Sequence, residues 1–103
     1  MVNIVIYLKE EFDAMELVKS LLAEKLVASA SIDINNASYK MENNKLVGEI
    51  FSVITAQSKA LLFADIVKHV ENKLGEEIPI ISMPIIGSNR IFDTTIKTKT
   101  HSV

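Results

Sequence analysis

The stretch ASASIDINNASYKMENNKLVGEIFSVITA, from Ala28 to Ala56, decides the fold. Before the pair Asn35-Asn36, apolar residues alternate with polar ones, which is the period of a β-strand with one buried face. Beyond that pair the apolar positions shift by one residue, as a β-bulge produces. Asn43-Asn44 then predicts a tight turn, because asparagine tolerates positive φ. The stretch therefore predicts two long antiparallel strands joined in one hairpin.

A strand and a helix precede this hairpin, and a helix and a strand follow it. The apolar run Val2–Leu8 predicts a strand, and the periodicity of Asp13–Lys25 predicts a helix with Asp13 as its N-cap. We expect Ser58 to cap a second helix that ends at Gly75, where glycine supplies the left-handed C′ conformation. The apolar run Ile78–Ile86 predicts the last strand, and its two prolines predict irregular pairing.

The order β-α-β-β-α-β predicts an α+β fold, the ferredoxin-like sandwich, with a four-stranded antiparallel sheet and two helices on one face. The 103 residues predict a single domain, residues 1–103. The last segment is ambiguous, because Phe92 and Ile96 have a helical spacing while its threonines favour a strand. We expect residues 94–103 to form a loosely held tail.

Apolar residues occupy both faces of the predicted sheet. In the first strand Ile4 and Ile6 point to one face, whereas Val5 and Tyr7 point to the other. Two helices shelter one face, and a bare second face, here called the open face, would expose a large apolar patch. We therefore expect copies of the chain to associate through the open face. The alternative is that the tail folds across it.

Composition excludes several functions. Eleven Lys and Arg against 13 Asp and Glu give a net charge of -2, which favours neither nucleic acid nor an anionic membrane surface as a partner. The chain has no cysteine and 2 histidines, so it has no thiolate ligand and too few imidazoles for an all-histidine zinc site. No apolar run has the length of a membrane span, and the first is too short for a signal peptide, so we expect a cytoplasmic protein.

No motif for catalysis or nucleotide binding is present. Asp65 and His69 are four residues apart on the second helix, where they form either a metal-ligand pair or an ordinary solvated pair. Glu77 follows another acid just before the last strand, where it either serves a hard or borderline cation, which carboxylates suit, or belongs to an ordinary solvated loop. Tyr39 and Lys40 lie beside the predicted hairpin tip, where they serve either in binding or in cross-strand packing.

Four segments together resemble the CutA divalent-cation tolerance family. They match the family's first helix, hairpin tip and last strand in order and spacing, and the resemblance runs from about Val2 to Ile96. The segments are Leu17–Ser29, Ser38–Glu42 with Lys45-Leu46, Glu77–Pro79, and Met83–Ile85 with Gly87 and Asn89. The resemblance implies a ferredoxin-like homotrimer, related to the PII signalling proteins, with a cleft between subunits and a link to copper and other divalent ions.

The resemblance also implies which residues line that cleft. Tyr39, Lys40 and Asn89 are the candidate ligand-binding residues, and Glu77 and Glu42 are the candidate metal ligands. The family's usual cysteine and tryptophan are replaced, the cysteine by Ser29 and the tryptophan by Met41, and its His-Pro-Tyr by Leu74, Gly75 and Glu76. Any metal in the cleft would therefore be bound by oxygen atoms. No cofactor is implied beyond a divalent cation such as copper.

These features predict a CutA-like homotrimer that takes part in the response to divalent metal ions, copper in particular, and catalyses no reaction. The alternative is a PII-like regulatory module that binds a small anionic metabolite or a partner protein, with Lys40 and Arg90 supplying positive charge. An enzyme with a carboxylate base is least favoured, because no nucleophile and base are visible as a pair.

Overall fold

The computed structural model describes residues 1–103 and contains four strands and three α-helices. In chain order they are β1 (Val2–Lys9), α1 (Ala14–Ala23), β2 (Ser29–Glu42), β3 (Lys45–Ser58), α2 (Phe63–Leu74), β4 (Ile80–Pro84) and α3 (Arg90–Lys99), with one 3₁₀ turn, Ala60–Leu62, before α2. The sheet has the order β2-β3-β1-β4, and all its neighbours are antiparallel. The predicted ferredoxin-like α+β fold is confirmed.

The long hairpin has the predicted bulge and turn. The pairing of β2 with β3 shifts register between Asp33 and Asn36, and Asn35 has φ 59°. At the tip, Asn43 and Asn44 have φ 49° and 63°, the positive values that a two-residue hairpin turn of type I′ requires. Each strand of the hairpin has 14 residues, and the molecule measures 47 Å along its longest axis.

The core lies between the sheet and the first two helices. Alternate residues of β1 face this layer, and Ile4, Ile6 and Leu8 are completely buried. Leu17 and Leu21 of α1 are buried against them. The predicted apolar stripe of α2 is also confirmed, with members that are buried or half-buried: Leu62, Phe63, Ile66, Val67, Val70 and Leu74.

The ends of the helices follow local signals, with one exception. Asp13 caps α1 by accepting the Glu16 N–H at 3.1 Å, and Gly75 ends α2 with φ 78°. The prediction that Ser58 caps the second helix is wrong. Ser58 is the last residue of β3, and its completely buried hydroxyl donates a hydrogen bond to the Leu26 carbonyl. A tertiary contact therefore uses the hydroxyl that the local pattern assigned to a cap.

The prediction of a loose tail over residues 94–103 is wrong as far as Thr100. Residues 90–99 form α3, which Asn89 caps by accepting the Phe92 N–H at 3.1 Å. Ile96 is completely buried and Thr100 nearly so, because the helix packs one side against the rest of the molecule. Helical spacing of apolar residues therefore prevails over the strand preference of threonine. The last three residues are exposed.

The open face keeps apolar side chains exposed at its β4 edge. Phe92 of α3 lines a cavity together with Asn3 of the open face, so the start of α3 reaches the rim of this face. Ile81 and Met83 nevertheless remain 45% and 43% exposed. The alternative in which the tail shelters the whole open face does not hold for these two residues.

We predict that Gly75→Ala lowers the free energy of unfolding by about 1 kcal/mol, because a Cβ is unfavourable at positive φ even where space is open. Gly87→Ala is the matched control, since Gly87 also has open space around it but does not have a positive φ. We expect this control to be neutral or slightly stabilising. Urea denaturation measures both changes, and equal effects at the two positions would contradict the prediction.

Candidate functional site

An open cavity of about 320 Å³ lies where the long hairpin leaves the body of the sheet. It belongs to the open face, because the side chains of Tyr7 and Phe51 project on that side. Phe51 is the residue of β3 that pairs with Lys9. Residues of three strands and the β4 approach line it: Tyr7, Ser38, Tyr39, Lys40, Val47, Glu49, Phe51 and Pro79. This cavity is the candidate site.

Two aromatic rings form the apolar part of the cavity. The ring centroids of Tyr7 and Phe51 are 6.1 Å apart with an interplanar angle of 81°, which is an edge-to-face contact. Both residues are half-buried. Their position depends on strand register, since Tyr7 pairs with Val53 and Lys9 with Phe51. The rings offer a ligand a fixed apolar surface next to the charged groups of β2.

Lys40 and Glu49 are the charged residues that line the cavity. Lys40 Nζ lies 3.1 Å from a Glu42 carboxylate oxygen, and both side chains are largely exposed. The hydrogen bond and the charge of Glu42 raise the pKa of Lys40, and Glu49 adds a smaller contribution in the same direction. Glu42 therefore already holds Lys40, and a ligand that binds Lys40 has to share or replace that carboxylate.

Tyr39 lies against the backbone of the partner strand. It pairs with Gly48, where an added Cβ would be 3.0 Å from the Tyr39 ring. Gly48 therefore allows the ring to lie close to the strand, although the tyrosine stays 67% exposed. A glycine inside a strand was the signal in the sequence for this close approach, and it was missed.

The structure brings together only some of the predicted site residues. Tyr39, Lys40 and Glu42 are close together on β2, and the first two line the cavity. Asn89 caps α3 and lines a separate cavity of about 300 Å³. Glu77 is exposed between α2 and β4 and lines neither cavity. Within one chain, no three His, Cys, Asp or Glu residues are grouped as metal ligands.

Solved structures that share this fold include CutA1 proteins. The chain superposes on CutA1 of the psychrotrophic bacterium Shewanella sp. SIB1 with a TM-score of 0.86 at 20% identity, covering 98% of this chain and 95% of that one. For the divalent cation tolerance protein CutA1 of Thermus thermophilus the TM-score is 0.85 at 19% identity, with 98% and 100% covered. For the periplasmic divalent cation tolerance protein CutA of Archaeoglobus fulgidus it is 0.83 at 22% identity, with 96% and 98% covered.

The chain thus has the fold of the CutA1 divalent cation tolerance proteins, from β1 to the end of α3. The resemblance inferred from the sequence is confirmed at the level of the fold. Sequence identities of about one fifth are too low to assign the functional properties of these proteins to this chain.

Comparison of sequences alone gives less information on relatives of this chain than comparison of structures. No family model matches the chain. Over 76 residues it is 25% identical to the GMP reductase of Mesoplasma florum, an alignment that covers 70% of this chain. The chain spans 24% of the length of that curated relative, and the activity of the whole enzyme is not carried over. No helix of the structure has the length and apolar character needed to cross a membrane.

We predict that Glu42→Gln lowers the pKa of Lys40 towards its ordinary value, because the hydrogen bond and the charge that favour the ammonium form are lost. In the parent protein the ion pair contributes stability at pH values below the ordinary pKa of lysine, and this contribution is lost as the pH rises through the raised value. Titration of the Lys40 side-chain NMR signals measures the shift. Glu49→Gln is the control and should lower the pKa less; an equal or larger effect would contradict the assignment.

Proposed function

We propose that this chain is a CutA-like protein that assembles as a homotrimer and takes part in the response to divalent metal ions, copper among them. The observation that supports the proposal most is the likeness in fold, which extends over 98% of the chain and includes the long hairpin. In this proposal the protein catalyses no reaction, and the bound cation lies in a cleft between subunits. The cytoplasmic location expected from the short apolar runs is part of the proposal.

Exposed apolar side chains support assembly. On the hairpin, Tyr39, Met41 and Leu46 are 67%, 64% and 69% exposed, and on β4, Ile81 and Met83 also remain exposed. The hairpin residues lie beyond the reach of the helices, so only another molecule can cover them. Soluble monomers rarely expose apolar patches of this kind, and burial of such a patch favours association.

The dispersed candidate residues support a site shared by subunits. Glu77 lines neither the cavity of Tyr39 and Lys40 nor that of Asn89, and one chain groups no set of metal ligands. A cleft formed by neighbouring copies would bring Glu77 of one copy near Glu42 of the next. Two carboxylates without thiolate or imidazole suit a hard or borderline cation.

The alternative is a PII-like module that binds a small anionic metabolite or a partner protein. Lys40 lines the cavity next to the aromatic rings of Tyr7 and Phe51, which is the combination that a ligand with an anionic group and a planar apolar part requires. Arg90, at the start of α3, is exposed and would supply further positive charge from another subunit.

Assembly is predicted to depend on the open face. We expect the parent chain to run in sedimentation or light scattering at three times its mass of 11.4 kDa. Ile81→Lys should reduce the assembled fraction at micromolar concentration, because it places a charge in the contact. Leu61→Lys is the matched control, since Leu61 is 75% exposed but lies before α2. A stable single subunit in dilute buffer would overturn this part of the proposal.

Ligand binding distinguishes the two functions. In calorimetry with copper or zinc, Glu77→Gln should weaken a saturable cation site if the metal-ion function holds. In calorimetry with nucleotides, Lys40→Ala should abolish binding if the PII-like function holds. Glu71→Gln removes a carboxylate on α2, away from both cavities of the open face, and should change neither. Cation binding that is unchanged in Glu77→Gln and in Glu42→Gln would contradict a carboxylate site in the cleft.

A further inference from the structure

The fold brings both histidines of the chain to one cavity on the helical side of the molecule. The chain has 2 histidines, His69 on α2 and His101 after α3, and both line a polar cavity of about 230 Å³. The cavity lies at the C-terminal end of α1, and its other lining residues are Glu24, Leu26, Asp65, Lys68 and Asn72. It shares no residue with the cavity of the open face.

The two hydrogen bonds of Ser20 point to one tautomer of His69. Ser20 Oγ lies 2.8 Å from the Leu17 carbonyl and 2.9 Å from His69 Nε2. A serine hydroxyl has one proton, and a carbonyl can only accept, so this proton goes to Leu17 and Ser20 accepts from the Nε2–H of His69. In the neutral ring, Nδ1 then has a free lone pair. Histidine ligands of metals are oriented in this way, by a partner on the other ring nitrogen.

The second histidine is held by its backbone, which leaves its ring free. The His101 N–H donates to the Lys25 carbonyl at 3.1 Å, and its carbonyl accepts from Lys59 Nζ at 2.6 Å. The imidazole takes part in neither bond. This C-terminal strap, residues 100–103, places the ring at the same cavity as His69 while both of its nitrogens remain available.

Negative groups around the cavity lack partners. Neither ion pair of the structure includes Glu24 or Asp65, and Asp65 is one helical turn before His69 on α2. Glu24 is the C-cap of α1, a helix with no basic residue in its last turn. The negative end of the α1 dipole therefore lies beside an unpaired carboxylate, where a cation would be stabilised.

From this cavity we propose a binding site for a divalent cation that accepts imidazole ligands, such as Zn²⁺. His69 Nδ1 and the His101 ring are the nitrogen ligands, and Asp65 and Glu24 supply carboxylate oxygen, a set that suits zinc. In the metal-free geometry no three of these side chains converge, so the exposed ones rotate to close around the ion. The site is independent of the cleft proposed above and belongs to a single chain.

Zinc titration of the full chain tests the site. Calorimetry should show one Zn²⁺ per chain at this cavity, which is weakened at least about tenfold by His69→Gln or by His101→Ala and lost in the double variant. Any zinc bound in the cleft should remain in the double variant. His101→Ala keeps both backbone hydrogen bonds of the strap, and thermal unfolding checks that the fold is retained. Glu71→Gln, a carboxylate on the same helix outside the cavity, is the matched control and should bind as the parent does.

Two further measurements make the outcome decisive. Long-range ¹H–¹⁵N NMR of the metal-free protein should show His69 with its proton on Nε2, and zinc should shift the Nδ1 signal. Ser20→Ala should give a mixture of tautomers and weaker zinc binding. An Nδ1–H form of His69, zinc binding unchanged in the double variant, or no zinc binding at all would overturn the proposal. A cation site in the cleft is tested separately with Glu77→Gln and Glu42→Gln, because these two substitutions leave this cavity intact.

Discussion

The difference in rise per residue between strands and helices determines how much of the sheet the helices can cover. A strand advances about 3.3 Å per residue and a helix about 1.5 Å. The 14-residue strands of the hairpin therefore extend about 46 Å, whereas α1, with 10 residues, covers about 15 Å. The helices shelter the half of the sheet that contains Ile4 and Ile6, and the distal half of the hairpin extends beyond them. The exposed distal hairpin and the cavity at its base follow from this mismatch.

On the distal half, both sides of the hairpin face solvent. The side chains of Tyr39, Met41 and Leu46 project on one side of the hairpin. Nearer the body of the sheet, the same side contains Ile32 and Ile54 and faces the core. Their apolar character is therefore unexplained within one chain but is expected if a neighbour covers them. The cavity of Tyr7, with its charged wall, lies at the boundary between the sheltered and the projecting parts of the sheet.

Signals that act within a few residues were readable from the sequence. The Asn43-Asn44 turn, the bulge at Asn35 and the end of α2 at Gly75 each need a positive φ, which few residue types adopt. Ser58 was assigned wrongly because its partner, the Leu26 carbonyl, is distant in the chain, and a hydroxyl serves equally well in a cap or in a buried tertiary bond. Such competition between local and distant partners is not visible in a single sequence.

The residues of the candidate sites also fall into two groups, those that are close in the sequence and those that only the fold brings together. Tyr39, Lys40 and Glu42 are near neighbours along β2, so the sequence already placed them together. Tyr7, Phe51 and Pro79 join them only through strand register, and His69 meets His101 only through the packing of the C-terminal strap against the end of α1. Periodicity says which face a residue occupies, but it does not say which distant segment lies opposite.

The placement of the ligand types has a chemical consequence. The chain has no cysteine, and its 2 histidines both lie at the helical cavity. Imidazole ligands are therefore confined to that side of the sheet, and the candidate metal ligands elsewhere, Glu42 and Glu77, are carboxylates. Imidazole suits copper and zinc, whereas carboxylates accept hard as well as borderline cations. If this chain binds both kinds of cation, the sheet separates them, because no side chain of one layer lines the cavity of the other.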